Sequence, residues 1–116
     1  MKLLFLSHPV QNLKKSLDFY RDTLGFEEAW REGDHTVSLK LPETEVQLML
    51  EVGEDSLTAG GVFLVESVDE FYDQNKEKLD FIRTPIDIPP GRYTIFQDTS
   101  KNIVRLIDFS NESYNN

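Results

Sequence analysis

The chain has 116 residues, a formal net charge of −9 at pH 7 and no cysteine. This length supports one domain, and the missing thiols exclude disulfides and thiolate zinc sites. The acidity argues against nucleic acid as a partner, because Lys and Arg must neutralise its phosphates. No apolar run could span a bilayer, and Leu3–Leu6 is too short for a signal-peptide core. We therefore expect a cytoplasmic protein that binds neither nucleic acid nor membrane.

The first half of the chain reads as a strand, a helix and three further strands. Alternating apolar residues predict a strand over Leu3–Ser7, which ends at Pro9 because proline lacks the N–H that a strand donates. Asn12 is a good N-cap, and apolar residues at helical spacing then continue to Gly25, a typical C-terminal glycine. Runs of alternating residues between turn signals predict three strands, over Phe26–Arg31, Thr36–Leu41 and Glu45–Val52.

The second half repeats this order after an acidic link, which we place at Gly53–Ala59. A strand over Gly61–Val65 leads into a helix, because Ser67 and Glu70 have the spacing of a capping box. The strands that follow are predicted over Phe81–Thr84, Arg92–Gln97 and Ile103–Phe109. The polar tail, Ser110–Asn116, is expected to fray.

Two copies of a βαβββ unit predict an α+β fold with internal pseudo-symmetry. We interpret residues 1–116 as a single domain, with module one at about 1–53, module two at about 60–110 and a tail at 111–116. The site of such a fold is expected in the concavity where the copies meet. Strand alternation gives each sheet one face toward the helices and a second face of mixed polarity, which suits a ligand cleft or a subunit contact.

Three segments carry a resemblance to a known family. Ser16–Phe26 reads SLDFYRDTLGF, Gly60–Phe71 reads GGVFLVESVDEF, and Phe96–Leu106 reads FQDTSKNIVRL, which is similar to a family ending F-x-D-P-D-G-N-x-x-E-L. Together they resemble the vicinal oxygen chelate superfamily of glyoxalase I, extradiol dioxygenases and bleomycin and fosfomycin resistance proteins. The resemblance implies two modules whose sheets curl around an open cleft. In the enzymes of the family, a divalent metal in that cleft is held by the first and last strands of each module.

The four positions that would hold this metal do not carry suitable side chains. The resemblance places them at Phe5, Gln47, Gly60 (or its neighbour Gly61) and Arg105. Phenylalanine and glycine offer no side-chain donor atom, and arginine is a permanent cation that repels a divalent ion. Gln47 alone offers one oxygen, whereas a usual site needs several convergent His, Asp or Glu ligands. We therefore predict no metal and no cofactor.

Arg105 is the sharpest candidate for ligand binding. Its guanidinium would point into the cleft where the family has a carboxylate ligand, and it could hold a carboxylate or phosphate through two parallel hydrogen bonds. The alternatives are an internal ion pair with Glu51 or Glu45, or a rim arginine in solvent. Aromatic, amide and thioether side chains complete the predicted lining, with packing or a dimer contact as the alternative: Phe5, Gln47, Met49, Tyr93 and Trp30.

No catalytic residue can be assigned from the sequence. His8 and His35 lie at strand ends beside turns and are expected to be surface or turn histidines. The leading hypothesis is therefore a metal-independent small-molecule-binding protein, which sequesters a drug or metabolite as the bleomycin resistance proteins do, and which forms a homodimer. The alternatives are a lyase, isomerase or dioxygenase-type enzyme with a non-standard or absent metal site, and an accessory domain that acts through protein contacts.

Overall fold

The computed structural model describes residues 1–53 and 58–115. The chain divides into two compact units, which we call the N-terminal unit, Leu4–Gly60, and the C-terminal unit, Gly61–Asn116 with Met1–Leu3. Residues 54–57, most of the predicted link, lie outside the described residues.

The N-terminal unit is a four-stranded sheet with one helical segment. Its elements are β1 (Lys2–Pro9), α1 (Leu13–Leu17), a π-helical continuation (Asp18–Thr23), β2 (Glu28–Glu32), β3 (Thr36–Lys40) and β4 (Gln47–Glu51). The strand order is β2-β3-β4-β1, in which β1 and β4 are parallel and the other pairs are antiparallel.

The helix of this unit begins and ends as the sequence predicts, but its second half is a π-helix, which is wider than an α-helix. The Asn12 side chain accepts a hydrogen bond from the Lys15 N–H at 3.0 Å, and Gly25 ends the segment with a φ of 83°. Within the π-helical turn the Leu24 N–H donates to the Phe19 carbonyl five residues earlier. The helix covers an aliphatic core made of Leu17, Val37, Leu39, Leu48 and Leu50.

The C-terminal unit repeats this topology. Its elements are β5 (Gly60–Leu64), α2 (Val68–Asn75), β6 (Asp80–Ile88), β7 (Gly91–Gln97), β8 (Ile103–Ile107) and α3 (Glu112–Asn115), and its strand order is β5-β8-β7-β6. The predicted strand at Phe81–Thr84 is too short, because β6 continues through Pro85 to Ile88. Pro85 is tolerated because β6 is an edge strand whose register shifts between Arg83 and Ile86. The tail, expected to be frayed, forms the short helix α3.

A buried carboxylate joins three elements of the C-terminal unit. Asp108 follows β8 and is 1% exposed. It accepts hydrogen bonds at 2.8 Å from the Val68 N–H, which opens α2, and from the Arg92 N–H of β7. Gly91 allows this approach, because a Cβ there would lie 2.3 Å from Asp108 Oδ1. An aromatic core packs beside this carboxylate and includes Val68, Phe71, Phe81, Phe96 and Leu106.

The predicted α+β class with two βαβββ modules is thus confirmed. In the part of the chain that the structure describes, no helix has the length and apolar character needed to cross a membrane.

Candidate functional site

Four of the six predicted ligand-binding residues share one face of the N-terminal sheet. Phe5 of β1 lies opposite Gln47 of β4, and Met49 lies opposite Ser38 of β3. Trp30 of β2 in turn lies opposite Ser38. Residues opposite each other in register point to the same side of a sheet, so these side chains form one surface away from the helix. We call this surface the Gln47 face; it consists of Phe5, Trp30, Ser38, Gln47 and Met49.

The side-chain amide of Gln47 is held by two donors at the centre of this face. Its Oε1 atom accepts a hydrogen bond from the Ser38 hydroxyl at 2.7 Å and from the indole N–H of Trp30 at 3.0 Å. Because an indole N–H can only donate, the atom that faces Trp30 must be the amide oxygen. Among the described residues, Gln47 Nε2 donates to no protein group, so the amide presents its two N–H donors outward.

Aromatic rings flank this amide. The rings of Phe5 and Trp30 meet edge to face, with centroids 5.8 Å apart and an interplanar angle of 84°. Trp30 is 37% exposed, whereas Phe5 and Met49 are half-buried. The Gln47 face therefore combines apolar surface that is open to a ligand with one fixed polar group, as binding sites for small molecules commonly do.

A hydrogen-bonded polar row continues the same face along β4. The Thr36 hydroxyl donates to Glu51 Oε2 at 3.2 Å, and His35 Nδ1 lies 2.8 Å from the same hydroxyl oxygen. Thr36 and Glu51 are opposite each other in register, two positions beyond Ser38 and Met49. This row connects an exposed histidine to a half-buried carboxylate.

The remaining two predicted residues lie on β7 and β8 of the C-terminal unit. Arg105 is 1% exposed and lies opposite Val62 of β5 and Ile95 of β7, both of which are buried. This burial excludes the alternative of a rim arginine in solvent. Tyr93 is half-buried on the same face, and the Arg83 guanidinium lies 5.9 Å from its ring centroid.

The residues at the family's metal positions do not fit a divalent cation. Both acceptor positions of the Gln47 amide oxygen are occupied by hydrogen bonds from Ser38 and Trp30. Phe5 and the glycine at position 60 or 61 supply no donor atom, and the guanidinium of Arg105 carries a positive charge. The described residues also contain no group of three or more His, Asp or Glu side chains arranged to hold a metal.

His8 lies apart from the Gln47 face, near the end of β1, and is half-buried. It lies opposite Leu50 in register, which places it on the helix side of the sheet. There its Nδ1 atom lies 3.4 Å from the Tyr20 hydroxyl. Burial lowers the pKa of His8, because a charged imidazole loses hydration inside a protein.

Ser38 is the member of the Gln47 face that the sequence-based site did not include. Alternation along β3 predicts that Ser38 faces away from the helix, but its role depends on the register of β3 with β4, which no local motif reveals. Two open depressions of about 370 and 420 Å³ lie in the C-terminal unit, and neither is lined by a predicted site residue.

Comparison with known proteins shows the family of this chain. Residues 2–106 match the sequence profile of the Glyoxalase/Bleomycin resistance protein/Dioxygenase superfamily. The uncharacterized protein YraH of Bacillus subtilis (strain 168) is 34% identical over 93 residues, which cover 67% of this chain and 73% of YraH.

Solved structures show the same fold at low identity. An NAD-dependent benzaldehyde dehydrogenase from Legionella pneumophila has a TM-score of 0.74 at 21% identity and covers 91% of this chain and 98% of its own. A Streptomyces coelicolor methylmalonyl-CoA epimerase in complex with 2-nitronate-propionyl-CoA has a TM-score of 0.71 at 18% identity, covering 95% and 98%. The chain belongs to the Glyoxalase/Bleomycin resistance protein/Dioxygenase superfamily.

Proposed function

We propose that this protein binds a small molecule on the Gln47 face without the help of a divalent metal. The observation that carries the proposal is the Gln47 amide, whose oxygen is held by Trp30 and Ser38 while its N–H donors point outward beside aromatic rings. A fixed donor next to half-exposed apolar surface orients a ligand at little entropic cost. The complex of the Streptomyces epimerase with a CoA ester shows that this fold accommodates small-molecule ligands in a relative.

Arg105 is proposed as a second anchor, for an anionic group. Its burial among Val62 and Ile95 supports a role that requires charge compensation, since a guanidinium in apolar surroundings is costly unless it is paired. A bound carboxylate or phosphate would add to the interactions that Arg105 already makes within the protein.

The experiment that tests metal-independent binding combines elemental analysis with a ligand screen. Protein purified without chelator is analysed for bound metal, and ligands are screened by thermal shift in the presence and absence of EDTA. We expect no stoichiometric metal, and the same ligands with unchanged affinity after EDTA treatment. Stoichiometric zinc, nickel, manganese or iron, or binding that EDTA abolishes and one metal restores, would overturn the proposal.

One observation favours a second candidate, a metal-free enzyme that moves a proton. The Thr36 hydroxyl donates to the Glu51 carboxylate on the same sheet face, and His35 extends this row to solvent. A positioned carboxylate of this kind serves as a general base, worth roughly 10²–10⁴-fold in rate. Deuterium exchange at the α-carbon of carbonyl compounds tests it: Glu51→Gln must abolish any exchange that the wild-type protein catalyses.

A homodimer and a cytoplasmic location remain predictions from the sequence. Exposed apolar side chains on the edge strand β6, Ile82 and Ile86, support the pairing of two copies. Light scattering at tens of micromolar tests the dimer, and a monomer at that concentration would contradict it.

A further inference from the structure

We infer that the Gln47 face recognises a flat aromatic compound that carries a carbonyl or carboxylate oxygen. The inference rests on the proposed function and names the chemistry of its ligand. It follows from three features of the face: the direction of the Gln47 amide, the arrangement of the rings around it, and the charge beside it.

The direction of the amide selects a hydrogen-bond acceptor. A glutamine side chain usually binds donors and acceptors equally well, because rotating its amide exchanges the oxygen and the nitrogen. Here the Trp30 indole N–H and the Ser38 hydroxyl both donate to Oε1. Rotating the amide would place an NH₂ group against an indole N–H that cannot accept a hydrogen bond. Gln47 is thereby restricted to donating toward a ligand, and the complementary ligand group is an acceptor oxygen.

The rings beside the amide select a flat apolar group at a short distance from that acceptor. The indole nitrogen of Trp30 lies 3.0 Å from Gln47 Oε1, which puts the outward N–H donors roughly 5 Å from the indole edge. A ring with a directly attached carbonyl group spans a distance of this order. Phe5 stands nearly perpendicular to Trp30, so a ligand ring stacked on the indole meets the Phe5 ring edge to face.

The charge beside the amide accommodates an anionic acceptor as well as a neutral one. Lys40 lies opposite Gln47 on β3, and its side chain is 61% exposed with its ammonium 4.0 Å from Glu27. Because this ion pair is exposed and therefore weak, the Lys40 ammonium can also interact with an anionic acceptor, although the Glu51 carboxylate on the same face opposes it. Aromatic amides and aromatic carboxylates are therefore two forms of one ligand class.

The chain offers a direct probe of this face, because Trp30 is its only tryptophan. The indole N–H gives a single side-chain signal in a ¹⁵N–¹H correlation spectrum, and that proton is itself part of the site. The probes are benzamide, benzoate, benzamidine, toluene and acetamide, titrated to millimolar concentration. We expect benzamide or benzoate to shift the indole signal in a saturable manner. Toluene lacks the acceptor, acetamide lacks the ring and benzamidine presents donors, so these three should bind at least tenfold more weakly.

The variant Gln47→Glu reverses the chemistry of the outward group. It retains an oxygen for Trp30 and Ser38 but replaces the outward NH₂ with a carboxylate oxygen. We expect a loss of at least tenfold in benzoate affinity and a gain of similar size for benzamidine. Gln74→Glu on exposed α2 adds the same charge away from the face and should change neither affinity. If Gln47→Glu does not fold, Gln47→Met removes the donor without adding charge. This variant should bind benzamide more weakly and should not gain affinity for benzamidine.

The outcomes separate this inference from the proposed function. If benzoate binds Gln47→Glu as it binds the wild type, if benzamide binds Gln47→Met as it binds the wild type, or if toluene binds as well as benzamide, the inference is wrong. If aliphatic or cationic compounds from the wider screen shift the indole signal while aromatic carbonyl compounds do not, the inference is wrong and the proposed function stands. If no compound shifts the indole signal, both are wrong.

Discussion

The two units of this protein share one topology but use it differently. The N-terminal unit has an aliphatic core under its helical segment, and its opposite face presents the half-exposed Phe5, Trp30 and Gln47. The C-terminal unit has an aromatic core, a buried carboxylate that joins α2, β7 and β8, and a buried arginine on its opposite face. In one unit the polar groups of the second face are partly exposed, and in the other the carboxylate and the guanidinium are both buried. A repeated topology therefore does not imply a repeated site.

Arg105 provides the largest test of this comparison. If the guanidinium anchors an anionic ligand, Arg105→Ala should weaken the binding of a carboxylate or phosphate by about 2–5 kcal/mol. Arg105→Lys should recover only part of that loss, because lysine lacks the bidentate fork. Titration calorimetry with acetate and inorganic phosphate measures the binding, and thermal unfolding without ligand gives the control. Unchanged affinities together with a lower melting temperature would instead make Arg105 a structural partner, like the carboxylate of its unit.

Gly91 tests how far the C-terminal unit depends on its buried carboxylate. A Cβ at this position would lie 2.3 Å from Asp108 Oδ1 and 2.5 Å from the Asp108 backbone oxygen. Because a backbone atom cannot rotate away, Gly91→Ala should lower the free energy of unfolding by about 3 kcal/mol. The matched control is Gly25→Ala in the N-terminal unit, where no atom lies within 4 Å and only the φ of 83° opposes a side chain. In urea unfolding, Gly25→Ala should lower the free energy of unfolding by about 1 kcal/mol. Equal losses in the two variants would show that the contact of position 91 with Asp108 is not the cause of the larger effect.

The contribution of the Asp108 carboxylate to the stability of the C-terminal unit is expected to depend on pH. Burial opposes its ionisation, but hydrogen bonds from Val68, Ser110 and Arg92 outweigh that effect and lower the pKa of Asp108. A carboxyl group with a lowered folded pKa stabilises the protein above its ordinary value of 3.8, and this stabilisation disappears as the pH falls through the folded pKa.

Asp108→Asn should accordingly lower the free energy of unfolding by about 1–3 kcal/mol at pH 7. The difference between the two proteins should narrow below about pH 4, where the carboxyl group of the unfolded wild-type chain begins to protonate while the folded one is still charged. Urea unfolding of both proteins at a series of pH values from 7 downward measures this difference in free energy of unfolding. Because the other carboxyl groups titrate in both proteins, their contribution cancels in the difference. A difference that does not depend on pH would show that shape and not charge determines the effect.

The sequence predicts the fold better than it predicts the site, and particular residues show why. Asn12 and Ser67 each bind the N–H three residues further along the chain, and each caps the helix that its local pattern predicts. The failures involve partners distant in sequence. The end of β6 beyond Pro85 depends on its place at the sheet edge. The hydrogen bond from Trp30 to Gln47 spans 17 residues and depends on the register of three strands, which local patterns do not contain.

The caps of the two helices give the smallest and most direct comparison. Asn12 accepts from the Lys15 N–H, and Ser67 accepts from the Glu70 N–H at 3.1 Å. Removal of either cap by an alanine substitution typically costs about 1 kcal/mol. The N-terminus of α2 has a second acceptor, however, because Asp108 Oδ2 binds the Val68 N–H at 2.8 Å. That carboxylate also interacts favourably with the helix dipole.

We therefore expect Asn12→Ala to lower the free energy of unfolding by about 1 kcal/mol and Ser67→Ala by roughly half as much. Urea unfolding of the two variants at pH 7 measures the difference. In the Asp108→Asn background, where the charge at the start of α2 is gone, Ser67→Ala should cost more than it does alone, whereas Asn12→Ala should cost the same. If the cost of Ser67→Ala is the same in both backgrounds, the carboxylate does not act as a second cap, and the two helices are held at their N-termini in the same way.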